Sequence, residues 1–156
     1  EIEERPIIPG IDLDGPFCLK YVLGDDTASA KIAERCGRDD LGLVDLTDIH
    51  LPVGPAEFVW LIHHSALVCT DSFHATVFSL LFHRPFVIYE RQGNAGNMSS
   101  RFDTLHALFG INSNRAGKDG FRERCVDEFD WTGFERELEE KRNDSIAWLR
   151  AALAGL

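Results

Sequence analysis

Two runs of four apolar residues, "ALVC" (66–69) and "FVIY" (86–89), stand either side of "TDSFHATVFSLLFHRP" (70–85), a segment long enough to carry a helix. A strand that is apolar at every position has both faces covered, the condition of a parallel strand within a sheet. Parallel neighbours also need a crossover between them, and the intervening helix supplies one. This stretch alone restricts the chain to β and α elements wound alternately about a central sheet.

The alternation extends in both directions. "FCLKYVLG" (17–24) reads as a strand ended by Gly24. "DDTASAKIAERCG" (25–37) reads as a helix that Asp25, Asp26 and Thr27 start and Gly37 stops. A second strand is expected over 41–46, a helix over 54–65 with Pro55 in its first turn, a third strand over 66–70, a helix over Phe73–His83 and a fourth strand over 85–90. Beyond a Gly/Asn-rich loop (90–100), one helix is expected from Arg101 to Phe109, stopped by Gly110. A last helix is expected over 133–154, opened by Thr132 and Glu135 at capping-box spacing, with Leu138, Ile146, Leu149 and Leu153 spaced for one face. The order β-α-β-α-β-α-β-α-α predicts an α/β fold with a doubly wound, right-handed parallel sheet of Rossmann type.

At 156 residues the chain is one ordinary domain, expected as an entering linker (1–16, with three prolines and two glycines) followed by an α/β lobe (17–156). The abrupt start at Glu1, with neither an initiator Met nor the pattern of a secretory leader, suggests a piece of a longer protein. Its 44% hydrophobic and 27% charged residues are those of a soluble globular protein, and no apolar run approaches the ~20 residues a membrane span needs. A net charge of −10 argues against a general nucleic-acid or anionic-membrane surface, so any anion must be met by locally concentrated positive potential. Cys18, Cys36, Cys69 and Cys125 have neither CxxC nor zinc spacing and read as reduced thiols of a cytosolic protein, with Cys18 and Cys69 inside strands.

Ligands of open α/β sheets bind outside the carboxyl ends of the strands. "TDSFH" after the third strand puts His74 in the first turn of a helix, where unpaired N–H groups and the positive end of the dipole favour an anion. Ser72 can add a hydroxyl there, and a bound phosphate or carboxylate would let the imidazole hold a transferable proton. From position alone, a histidine satisfied by a nearby carbonyl is an equal alternative. Arg101 likewise sits in a first turn, against the dipole, which is easier to accept if it faces an anion, although Asp103 could be its partner. Taken alone, Arg101 reads as a solvated surface residue. Asp71 reads first as a cap, with a base or a support for His74 as the alternative. Arg91 could add positive charge, and Gly93, Asn94, Gly96 and Asn97 suggest a closing loop or a plain connection. His63, His64, His83 and His106 read as structural. No metal-loop spacing is present.

These motifs, in order, resemble the polysaccharide pyruvyl transferase family over residues 53–111. The family pattern is an apolar strand, then T-[DN]-S-F-H-G at a helix start, then "kPF" and a later S-R; here Thr70–Asp71–Ser72–Phe73–His74, Arg84–Pro85–Phe86 and Ser100–Arg101 match it. Ala75 departs from the family glycine, and its methyl group would crowd a bound phosphate or shift the helix start. The resemblance implies the carboxyl-terminal, donor-binding lobe of a two-lobed, glycosyltransferase-B-like enzyme that moves a pyruvyl group from phosphoenolpyruvate onto a sugar of a cell-surface polysaccharide, commonly as a ketal. It implies His74 and Arg101 as catalytic residues and Thr70, Asp71, Ser72, Arg91 and Ser100 around the substrate, with no metal and no cofactor beyond the donor substrate. The implied partners are phosphoenolpyruvate, a saccharide acceptor, free or lipid-linked, and an amino-terminal lobe of the same protein, but no nucleic acid; the implied place is the cytoplasm or the inner face of the membrane. The alternatives are a nucleotide-sugar-dependent glycosyltransferase lobe and a non-catalytic carbohydrate-binding or assembly domain.

Overall fold

The computed structural model describes residues 6–24, 26–47, 51–90, 99–121 and 129–154. Four parallel strands, β1 (Phe17–Tyr21), β2 (Gly42–Asp45), β3 (Leu67–Thr70) and β4 (Phe86–Ile88), lie in the order β2-β1-β3-β4. The helices are α1 (Ser29–Arg38), α2 (Pro55–His64), α3 (Phe73–Leu81), α4 (Ser99–Phe109) and α5 (Trp131–Ala154). This is the expected doubly wound Rossmann-like sheet. No described helix is long and apolar enough to cross a membrane.

Strand residues alternate between two cores, which is why β3 is apolar up to Thr70 and β4 is apolar throughout, while β2, at the edge, is half exposed. Cys18, Val22, Leu67, Cys69 and Val87 pack with Ala28, Ile32 and Cys36 on the α1 side. Phe17, Leu19, Val68, Phe86 and Ile88 pack on the other side with Leu61 of α2, Leu80 of α3, Phe102 of α4 and Phe134 of α5. Ile8 and Leu13, ahead of β1, are buried in that larger core.

Several boundaries differ from expectation, each for a local reason. β1 stops at Tyr21 because the N–H groups of Leu23 and Gly24 turn to the Asp71 carboxylate, 2.8 Å away in both cases. α1 does not stop at Gly37. It runs to Arg38, and Asp40 takes the left-handed turn at φ 53° while the Leu41 N–H returns to the Cys36 carbonyl. A 3₁₀ turn at Ile111–Asn114 was not expected; it leads into Arg115, which bridges Ile88 beside β4.

The last helix does not open at Thr132. It begins at Trp131, and Asp130 accepts the Gly133 N–H at 2.9 Å, while Glu135 pairs with Nε2 of His83, 2.6 Å away. Nor do its apolar residues form one buried face. Leu138 packs on the core, but Ile146, Leu149 and Leu153 are exposed, because the carboxyl-terminal half of α5 extends past the body it packs on.

Candidate functional site

Strand order reverses between β1 and β3, so the carboxyl ends of those two strands frame the crevice where such sheets hold ligands. Side chains at the end of β3 knit this edge together by bonding backbone groups at the end of β1. The Thr70 hydroxyl donates to the Tyr21 carbonyl at 2.6 Å and accepts the Ser72 N–H at 2.9 Å. Asp71, only 1% exposed, takes two N–H groups from the end of β1 and thereby ties β3 to it. The N-cap position of α3 falls on Ser72 rather than Asp71, and no side-chain bond caps the helix.

That leaves the first N–H groups of α3 without partners inside the helix, at the positive end of its dipole. His74 stands exposed in this first turn. Ser72 and His74 line a cleft of about 520 Å³ with Tyr21, Leu46, Val53 and Phe58. The start of α2, at Gly54 and Pro55, forms the opposite rim. There the Glu57 carboxylate already accepts the Gly54 N–H at 2.9 Å, so the uncapped helix start beside this cleft is that of α3.

Arg101 comes to the same edge from α4. Its guanidinium carbon lies 5.9 Å from the centre of the Phe73 ring, and the His74 ring centre lies 6.0 Å from that ring. Phe73 thus neighbours both sequence candidates, with Phe102 behind it at 6.4 Å, but Arg101 does not line the cleft that Ser72 and His74 line. Asp103 is not the partner of Arg101. It binds Arg115 at 2.7 Å, and that contact, ahead of the opposing effect of desolvation, holds the Asp103 carboxyl below its ordinary range. No carboxylate among the described residues pairs with Arg101.

Ser100, beside Arg101, is exposed and gives its carbonyl to the Thr104 hydroxyl at 3.0 Å. Arg91 and the glycines and asparagines of 93–97 lie outside the described residues, as does Cys125. Ala75 is fully buried in the larger core, so its methyl group points into packing and not into the cleft. His63 and His64 lie at the opposite edge of the sheet: His64 stacks on Trp60 with ring centres 3.9 Å apart, and His63 meets Phe82 at 4.8 Å. Burial, aided by His64 and Arg84, holds His63 below the usual imidazole range.

Two participants were missed from the sequence. Phe73 read only as an apolar helix residue, and nothing in its spacing marks it as a seat for a cation. Arg115 is 1% exposed and joins Asp103, Asn112 and Glu90 under the start of α4; its role depends on contacts up to 25 residues apart. Among the described residues no group of three or more potential metal ligands is present.

No curated protein and no solved structure matches the chain significantly. The family model for polysaccharide pyruvyl transferase matches residues 15–93, just over half of the chain. That span holds the whole sheet and the Thr70–His74 edge on which the site is built, so the chain belongs to the polysaccharide pyruvyl transferase family.

Proposed function

We propose that this chain binds phosphoenolpyruvate at the α3 start and takes part in transferring its pyruvyl group to a sugar of a cell-surface polysaccharide as a ketal. The observation that carries this reading is that Arg101 and His74 both neighbour Phe73, beside an uncapped helix start. Phosphoenolpyruvate bears a phosphate and a carboxylate, and the edge offers two kinds of anion partner: helix N–H groups with the Ser72 hydroxyl, and a guanidinium suited to two-point capture.

In the proposed reaction a proton goes to C3 of the enol, making a methyl group and an electron-poor C2. One sugar hydroxyl adds at C2 and gives up its proton. A second hydroxyl displaces the phosphate from the same carbon, and its proton leaves with phosphate or solvent. His74 is the proton donor or the phosphate ligand; a positioned acid contributes roughly 10²–10⁴-fold to such a step. Arg101 holds a donor anion and stabilises the charge that develops as phosphate departs. Thr70 and Asp71 support the edge from below, and Ser100 and Arg91 are the further substrate-binding residues of this reading.

The test is calorimetry of phosphoenolpyruvate on this chain, with UDP-sugars and GDP-sugars as competitors and Arg101→Ala as control. Binding of phosphoenolpyruvate that Arg101→Ala abolishes supports the reading. Preference for a nucleotide-sugar would replace it with glycosyl transfer.

A further inference from the structure

A second cleft, also about 520 Å³, opens at the same strand edge on the α1 face of the sheet. Its floor comes from the smaller core: Val22, Ala28, and the partly buried rings of Tyr89 and Phe121. Its wall is one stripe of α1, with Lys31, Glu34 and Arg38 at the three- and four-residue spacing that brings side chains to one face, and Thr27 from the 3₁₀ turn just before it. We propose that this cleft is an acceptor subsite that takes a neutral pyranose unit. The proposal rests on the pyruvyl-transfer reading for its place in the reaction, and it puts part of the sugar recognition on this lobe.

Charge separates the two clefts. Lys31, Arg35 and Arg38 line the second cleft, but so do Glu34, Asp71 and Glu90. The charges are also largely matched by neighbours: Asp39 lies 2.9 Å from Arg35 and 3.6 Å from Arg38, and Glu90 lies 3.1 Å from both Arg115 and Lys118. A dianion would meet carboxylates here without a net positive field to draw it in. The described residues lining the His74 cleft, by contrast, include neither a carboxylate nor a lysine or arginine, so the start of α3 is the positive end that an anion meets there.

What the second cleft offers instead is mixed. A hydroxyl, an ammonium, a carboxylate and a guanidinium rise along the α1 wall above two aromatic rings. A pyranose has the complementary surface, with hydroxyls that both donate and accept around its rim and C–H groups on its faces. The two clefts lie on opposite faces of the strand reversal and meet the chain at consecutive residues, Asp71 lining one and Ser72 the other. Both therefore open at the same carboxyl edge of the sheet.

The test is a titration of the isotope-labelled 156-residue chain with methyl galactoside, methyl glucoside and methyl mannoside, followed by amide shifts, with phosphoenolpyruvate titrated separately. At least one glycoside is expected to move Lys31, Glu34 and Tyr89. Thr27→Trp, which fills the cleft from an exposed position, is expected to remove that response, and Glu34→Ala to weaken it about tenfold, a loss of about 1.4 kcal/mol. Both variants should bind phosphoenolpyruvate as the unaltered chain does. All the lining named here belongs to this chain, so a folded protein that no glycoside perturbs at these amides overturns the proposal. So does phosphoenolpyruvate binding that Thr27→Trp blocks and His74→Ala spares. Glycoside binding here without any phosphoenolpyruvate binding would leave the subsite standing and remove the donor reading.

Discussion

The guanidinium of Arg101 rests 5.9 Å from the centre of the Phe73 ring, and Phe73 is the residue directly before His74. An arginine in the first turn of a helix works against the dipole, and a ring face beneath it returns part of that cost while fixing its position. Phe73→Leu keeps an apolar side chain there but removes the face. An exposed contact of this kind contributes about 0.5–1 kcal/mol, so Phe73→Leu should weaken phosphoenolpyruvate binding about two- to fivefold. Arg101→Lys should weaken it further, because an ammonium cannot grip an anion at two points. Calorimetry on both variants checks this; unchanged affinity in folded Phe73→Leu would mean that Arg101 is held in place by something else.

Asp71 should matter for stability before it matters for chemistry. It is 1% exposed and takes the N–H groups of Leu23 and Gly24, so Asp71→Ala leaves the end of β1 without its acceptor and opens the strand reversal. Hydrogen bonds to a charged group contribute about 1.5–3 kcal/mol each, so the expected loss is about 3 kcal/mol. Asp71→Asn, which keeps one acceptor oxygen, should fall between. Urea unfolding gives the answer: the midpoint should drop with little change of slope. A loss under about 1 kcal/mol would show that those N–H groups are satisfied by water.

The same contact shows where sequence reading reaches its limit. The strands and the helices between them were legible because burial on two faces makes the central strands largely apolar and helix ends carry their own local signals. The position of His74 was legible for the same reason, since a strand, a small polar cluster and a helix occur in that order. In the sequence Asp71 reads first as a local cap, because a carboxylate before a helix commonly is one. Its partners lie 47 and 48 residues earlier, just past the end of a strand whose neighbour only the fold decides. The Arg115 cluster with Glu90 and Asp103 is hidden in the same way. The carboxyl-terminal half of α5 was misread for the opposite reason: Ile146, Leu149 and Leu153 repeat at helical spacing, but spacing alone does not say whether a neighbour is there to cover them.

A pH effect follows from Lys20 and Asp45, on adjacent strands and 2.8 Å apart, with Lys20 itself 6% exposed. Burial alone would push the Asp45 carboxyl up. The hydrogen bonds from Lys20 and Thr47, with the charge of Lys20, outweigh it and hold the group below its ordinary value of 3.8. A carboxyl depressed in the folded state contributes stability that is present above its unfolded value and lost as pH falls through the folded one. Asp45→Asn should therefore be less stable than the unaltered chain at neutral pH, with the difference shrinking as pH drops below about 4. Thermal unfolding across pH 7 to 3 tests it, and a difference that stays constant over that range would place the contribution of Asp45 outside its ionisation.

The buried thiols should be chemically silent. Cys18 and Cys69 sit on neighbouring strands with their sulfurs 3.7 Å apart, and both side chains are fully buried. The hydrogen bond with Cys69, followed by burial, drives the Cys18 thiol far up, and burial pushes Cys36 up to about 12. Only the thiolate attacks a disulfide reagent, so at pH 8 neither of these two thiols presents a reactive form while the α1-side core is closed. Cys125 is removed by Cys125→Ser, which leaves three cysteines in the chain. That variant should release no thiol signal when native and three equivalents when unfolded. A slow native reaction that speeds up with low urea would report opening of α1 from the sheet, and its rate would measure the stability of that face. One fast equivalent in the native protein would mean that this core is not closed around its sulfurs.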